Sequence, residues 1–274
     1  MKVVLFCGGL GTRLKEYSET IPKPLVTIGY RPIIWHLMRY YAHFGHKDFI
    51  LCLGYRGDQI KEYFLSYNEC ISNDFVMGES GRKIELLRSD IDDWRITFVD
   101  TGQQTNIGQR LVAVRDFVKD DVFLANYSDG LTDLDLNSYI QYAVSSGAVA
   151  SLVAVRTSES FHAVTTDANG WVTGIGAIHE AAFEVNCGFF VLRPEIFDYI
   201  KHGEELVAEP FARLVSERKL LSYSYKGFWR AMDTFKDKMA FDRMYEKGIA
   251  PWEVWKPRSN VSNKDLYAYS GARR

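Results

Sequence analysis

Apolar residues along this chain fall into two textures that alternate. Lys2-Val-Val-Leu-Phe-Cys7 is a short run of β-branched and aromatic residues stopped by Gly8-Gly9, which predicts a buried strand entering a loop. Residues 31–45 then place Ile33, Ile34, Leu37, Met38 and Tyr41 at helical spacing, and Phe49–Leu53 is again a buried strand. Such a strand–helix–strand unit implies parallel strands joined by a right-handed crossover. The alternation continues with helices over 59–67, 108–118 and 136–146, and strands over 96–99, 122–126 and 148–155. Together these predict an α/β fold with a doubly wound, mostly parallel sheet.

Beyond residue 160 the texture changes. Short alternating segments at 163–166 and 171–175, then the apolar run 188–192, predict a smaller mixed or antiparallel layer. A helix over 210–217, an edge strand over 220–225 and a helix over 235–246 follow. The reading is one domain over 1–256, with halves at about 1–155 and 156–256, and a loosely held polar tail over 257–274.

With 274 residues, 47% of them hydrophobic, the chain can bury a full core. Its 33 basic and 35 acidic residues give a net charge of −2, so no global field draws nucleic acid or an anionic membrane. Any polyanion must be held locally. Cys7, Cys52, Cys70 and Cys187 form no CxxC pair, three of them sit in apolar or Gly-flanked runs that look buried, and zinc or disulfides are not expected. No run approaches the roughly 18 apolar residues of a membrane span, and Met1 leads straight into a strand, so the expected setting is soluble, reducing and cytoplasmic.

The chemistry concentrates where the first strand ends. A loop at the carboxyl edge of a doubly wound sheet is where ligands bind. Gly8, Gly9 and Gly11 let a backbone approach a phosphate and leave amides free to point at it, while Arg13 and Lys23 supply positive charge. The stretch does not fit the P-loop pattern, and Leu14 stands where a GxGxxG motif needs a small residue. Proline on both sides of Lys23 predicts a fixed, extended backbone that aims the lysine.

Gly8-Gly9-Leu10-Gly11-Thr12-Arg13-Leu14 with Pro22-Lys23-Pro24-Leu25 resembles the signature of sugar-1-phosphate nucleotidyltransferases. Pro32–His36, Gly54–Gly57, Ile60–Phe64, Val99–Gly102, Gly227–Trp229 and Pro251–Trp255 are similar to the glucose-1-phosphate cytidylyltransferase branch, so that the resemblance covers about residues 1–256. It implies a Rossmann-like, GT-A-like fold, CTP as donor, a phosphorylated small-molecule acceptor, Mg²⁺ as cofactor and a homo-oligomer.

By residue chemistry alone, Asp129 after an apolar strand is as much a turn former as a ligand. The resemblance makes Asp129 and Asp233 the two magnesium ligands, with Arg13 and Lys23 beside the departing pyrophosphate. No protein nucleophile is needed, because the acceptor phosphate attacks the α-phosphorus in line. Leu10, Thr12, Thr105, Gly108, Arg110 and Ser128 join the glycines in the nucleotide set, although Thr105 and Arg110 also read as a solvated loop and a helix-surface arginine. Trp35, His36, Trp229 and Trp252 read as packing residues.

The acceptor half departs from the pattern. Gly176-Ala-Ile-His-Glu180 lacks the lysine that contacts the sugar phosphate in the family, Cys187 replaces a glycine, and His162 stands where a glycine faces the sugar. Asn186, Glu209, Arg230 and His162 are the acceptor candidates, Arg230 being a replacement cation. An acceptor other than glucose 1-phosphate follows as the expectation. Two other readings fit the same residues: an ordinary glucose-1-phosphate cytidylyltransferase with a drifted acceptor loop, and a nucleotide-binding regulator without catalysis. Retention of both aspartates speaks against the second.

Overall fold

The computed structural model describes residues 1–9, 21–156, 162–177 and 183–256, the side chains of His162 and Ala177 excepted. In chain order the strands are β1 (Lys2–Cys7), β2 (Thr27–Ile28), β3 (Arg31–Pro32), β4 (Asp48–Leu53), β5 (Phe75–Gly78), β6 (Lys83–Leu86), β7 (Arg95–Asp100), β8 (Phe123–Asn126), β9 (Gly130–Thr132), β10 (Ala150–Val155), β11 (His162–Thr166), β12 (Val172–Ala177), β13 (Val185–Leu192), β14 (Leu220–Tyr225) and β15 (Trp229–Ala231). The helices are α1 (Ile33–His43), α2 (Gly57–Leu65), α3 (Ile107–Ala113), α4 (Leu136–Ser146), α5 (Ile196–Tyr199), α6 (Glu209–Ser216) and α7 (Phe235–Glu246).

Seven strands form the central sheet in the order β14-β10-β13-β8-β1-β4-β7. All neighbours are parallel except β13, which runs against both β8 and β10. The period of two in β1 and β4 sorts the core into layers. Val3, Leu5, Phe49 and Leu51 face one side with residues of α1, α2, α4 and α7, whereas Val4, Phe6, Ile50 and Cys52 face the other with Leu111, Ile196, Phe211 and Leu214. Helices therefore cover both faces, as a doubly wound sheet requires.

Chain order reverses direction after β7, returning to place β8 on the far side of β1. The crevice of this sheet consequently opens between the carboxyl ends of β1 and β8. Because β13 is reversed, its amino end, carrying Asn186, lies at that same edge beside Ala154 near the end of β10.

Several expected boundaries move by a turn. α1 starts at Ile33 because Arg31-Pro32 is extended and paired with Thr27-Ile28. The helix expected over 108–118 ends at Ala113 and tightens into a 3-10 turn over Arg115–Phe117. Thr234 and Asp237 close a capping box at the start of α7, so that helix begins where the apolar pattern places it. Of the expected smaller layer, 163–166 and 171–175 form the β11–β12 hairpin, whereas 188–192 joins the central sheet as part of the antiparallel strand β13. Three paired segments had no counterpart in the hydrophobic pattern: the short β2–β3 pair, the β5–β6 hairpin and the β9–β15 ladder. The four cysteines are free thiols; Cys7, Cys52 and Cys187 are buried and Cys70 is half-buried.

α1 is buried nearly all round, since Trp252 and Trp255 cover the side that the sheet does not. His36 sits at this second interface. Its Nε2 lies 3.0 Å from the Ile28 carbonyl, which can only accept, and Trp252 Nε1, which can only donate, lies 3.3 Å from Nδ1. The two contacts define a neutral imidazole with the proton on Nε2. Burial pulls the His36 pKa down to about 4. The unfolded chain takes up that proton near pH 6.5, so the stability is intact above pH 6.5 and is lost as pH falls towards 4. Between pH 7 and pH 4, His36→Gln should lose about 3 kcal/mol less unfolding free energy than the parent chain in urea titrations.

Candidate active site

β9 and β15 pair antiparallel, with Ala231 opposite Gly130, and the Met232 N–H donates to the Asp129 carbonyl at 2.9 Å. Asp129 precedes the first of these strands and Asp233 follows the second, so an antiparallel ladder brings their side chains to one place. A Cβ on Gly130 would lie 3.1 Å from Trp229 Nε1, so the glycine admits the indole that closes this ladder. Trp229 Nε1 goes on to the Cys187 carbonyl at 3.2 Å. Ser128 holds the turn in a left-handed conformation (φ 67°), its Oγ donating to Phe6 O at 2.7 Å and its N–H to Asn126 Oδ1 at 3.0 Å. Ser128 thus fastens the aspartate turn to the end of β1.

Lys23 Nζ lies 2.6 Å from Asp129 Oδ2 and 2.7 Å from Asp233 Oδ1. Desolvation works to lower the lysine pKa, but the two carboxylates outweigh it and the pKa is raised, so the ammonium is retained. The prolines do not hold Lys23 extended as expected. Only Pro22 is extended, and Lys23–Leu25 forms a 3-10 turn closed by Leu25 N to Pro22 O at 2.8 Å, with Pro24 buried beneath it. Asp129 and Asp233 keep 23% and 33% of their side-chain surface open, so a ligand can reach both oxygens. Two hard oxygens sharing one cation suit a divalent ion that completes its shell with phosphate oxygens and water.

The structure turns Arg110 inward. It is 2% exposed, and its guanidinium donates to the carbonyls of Gly8 (3.0 Å), Leu53 (3.1 Å) and Gln103 (3.3 Å) and to Thr101 Oγ1 (2.7 Å). It ties together the ends of β1 and β4 and the turn after β7. This is neither a surface arginine nor one whose donors are free for phosphate. It also explains Gly8 differently from the phosphate argument: a Cβ there would lie 2.1 Å from Arg110 Nη1. Gly9 has open space around it and still suits a close ligand approach.

Gly108 is pressed against the backbone of Glu204, whose carbonyl would meet an added Cβ at 2.4 Å. Thr105 is half-buried, with its hydroxyl against the Cα of Gly102 after β7. Asn186 accepts from Gly188 N–H at 2.9 Å and donates to the Tyr127 hydroxyl at 3.3 Å. Glu209 is exposed in the first turn of α6. Arg230 is paired with Asp237 at 3.3 Å, the same residue that caps α7. Leu10, Gly11, Thr12, Arg13 and the His162 side chain lie outside the described residues, as do Ile178, His179 and Glu180. Among the described residues no three His, Cys, Asp or Glu side chains cluster as a complete metal cage, and no helix is long and apolar enough to cross a membrane.

A crevice of this kind, with an aspartate pair at a strand-end turn, a bracketing lysine and a glycine loop, defines a class of phosphate-transfer fold. The chain matches the nucleotidyl transferase family model over residues 2–245, belongs to that family and is a nucleotidyltransferase. It is 40% identical over 265 residues to the glucose-1-phosphate cytidylyltransferase of Salmonella typhi, a match covering 93% of this chain and 100% of the relative. It is 27% identical over 259 residues to the mannose-1-phosphate guanyltransferase of Saccharomyces cerevisiae, covering 91% and 66%. The crystal structure of HddC from Yersinia pseudotuberculosis complexed with GMP-PN shares the fold, with a TM-score of 0.62 at 19% identity over 89% of this chain and 99% of that one.

Arg110→Ala leaves strand-end carbonyls without their buried donor. It should lower stability by about 3 kcal/mol in urea unfolding, whereas an arginine used only for ligand would move it by less than about 0.5 kcal/mol.

Proposed function

We propose that this enzyme transfers a cytidylyl group from CTP to a phosphorylated sugar, releasing pyrophosphate. The observation that carries the reading is the Asp129–Lys23–Asp233 cluster at the β1–β8 crevice. Asp129 and Asp233 would hold Mg²⁺, which supplies charge neutralisation to the phosphates when bound. The chain's own part is positioning and electrostatics. The β9–β15 ladder fixes the carboxylates, Gly9 gives the triphosphate access to the backbone, and Lys23 with Arg13 meets the charge that develops on the pyrophosphate side. Support for cytosine comes from the full-length similarity to the Salmonella typhi cytidylyltransferase. The guanyltransferase match shows that relatives in this family differ in base.

For the acceptor we infer a phosphorylated compound other than glucose 1-phosphate. The segment before β13 lacks the family's lysine, and a charge-assisted phosphate contact is worth on the order of 1.5–3 kcal/mol. Arg230 is a weaker replacement than its position suggests, because Asp237 already engages it. The 40% identity over the whole relative favours a second reading, in which glucose 1-phosphate is the acceptor and the loop has drifted.

A panel of sugar phosphates with CTP, read by pyrophosphate release, separates the two. Glucose 1-phosphate should turn over at least about tenfold less efficiently than the preferred acceptor, a gap of about 1.4 kcal/mol; equal efficiency means the drifted-loop reading is right. In the same assay Asp129→Ala and Asp233→Ala should each reduce magnesium-dependent release by on the order of 100-fold or more. Among the four nucleoside triphosphates with Mg²⁺, CTP should raise the melting temperature most, as expected for a ligand that binds only the folded chain.

A further inference from the structure

Lys23 stands where a metal ion is expected to stand. Its Nζ lies 2.6 Å from Asp129 Oδ2 and 2.7 Å from Asp233 Oδ1, and magnesium ligates such oxygens at about 2.0–2.1 Å. An ion on either oxygen and the ammonium therefore contend for the same lone pairs at contact distance. They do not hold them together, because a double and a single positive charge that close repel by several times the thermal energy in a site partly shielded from water. In the ligand-free chain the lysine has the place.

The surroundings let the side chain leave without the main chain. The backbone at Lys23 is fixed from both sides, with Pro22 extended, Leu25 N–H donating to Pro22 O at 2.8 Å and Pro24 buried beneath the turn. What can turn is an unbranched four-carbon stem that carries a compact ammonium rather than the fixed fork of an arginine. Until a ligand comes, the ammonium also has a task. Asp129 and Asp233 flank a ladder of only three residue pairs, and the cation between them keeps both carboxylates ionised and side by side.

We propose that Lys23 is a stand-in for the metal: it occupies the seat between Asp129 and Asp233 in the ligand-free enzyme, yields it to the incoming divalent ion and turns to the triphosphate. One side chain then couples the two ligands. The metal takes the carboxylates from the ammonium, and phosphate oxygens give the ammonium a new counter-ion, so each ligand binds better when the other is present. The inference rests on the reading of Asp129 and Asp233 as the metal pair. It differs from a lysine that only braces the carboxylates, because a brace helps the metal to bind whereas a stand-in competes with it.

The test uses Mn²⁺ as the probe, its binding to the full chain read by electron paramagnetic resonance without nucleotide. Lys23→Met should bind Mn²⁺ at least about tenfold more tightly than the parent chain, and Asp129→Asn should lose binding. On the parent chain, trace acetylation read by peptide mass spectrometry should label Lys23 at least about fivefold faster at saturating Mn²⁺ and more slowly again once inorganic triphosphate is added with the metal. Exposed Lys61 on α2 should keep its rate throughout. Circular dichroism reports whether Lys23→Met is folded; where it is not, labelling of the parent chain decides alone. Unchanged labelling of Lys23 at Mn²⁺ saturation overturns the proposal, as does a folded Lys23→Met that binds Mn²⁺ no more tightly than the parent. Labelling that stays high with triphosphate present overturns the coupling. Mn²⁺ binding that survives in Asp129→Asn overturns the metal-pair reading itself, an outcome seen without reference to Lys23, and the inference falls with it.

Discussion

Two carboxylates in a partly desolvated site stay ionised together only with a cation between them, and the candidate site of this protein is arranged around that requirement. Asp129 and Asp233 come from distant parts of the chain, and Lys23, 106 and 210 residues from them, meets both. Each is delivered by a different device: a left-handed serine turn, a three-residue ladder capped by a helix, and a 3-10 turn between prolines. None of these devices has the length to be stable alone. They hold because the sheet ends are fixed, by Arg110 gathering carbonyls at the ends of β1 and β4 and by Ser128 fastening to β1 again at Phe6.

The central sheet was legible in the sequence because its inner strands, such as β1, β4 and β8, are buried on both faces, and such strands are short apolar runs whatever their neighbours do. Helix α7 was legible for a second reason, since its cap and its apolar periodicity agree. The hairpin at β5–β6 was not, because β5 is three apolar residues and a glycine, β6 alternates apolar residues with charges over four positions, and nothing local distinguishes an exposed apolar face from a buried one. The β9–β15 ladder was hidden by its shortness and by the sequence distance between its strands.

In the site, the residue types were readable but some of their employment was not. Gly8 reads as a phosphate glycine, yet the group that needs its missing side chain is the protein's own guanidinium. Arg110 also reads as a helix-surface cation, and only the fold reveals that its guanidinium reaches the carbonyls of Gly8 and Leu53. Arg230 shows the opposite trap: a cation three residues from Asp233 with a helix-capping carboxylate as its partner. A motif specifies which atoms are near a site. Whether those atoms are already occupied depends on contacts made from elsewhere in the chain.

The reversal of β13 separates two kinds of inheritance within one polypeptide. In the parallel strands the residues at the ligand edge follow the buried run, so they are tied to the register of the core. In β13 they precede it, and the stretch that enters them is connected through the exposed β11–β12 hairpin rather than through a packed crossover helix. Substitutions, even insertions, can accumulate there without shifting a single core side chain. The chain thereby joins ligand-edge residues whose positions are locked to the core with a segment whose sequence can change independently of it.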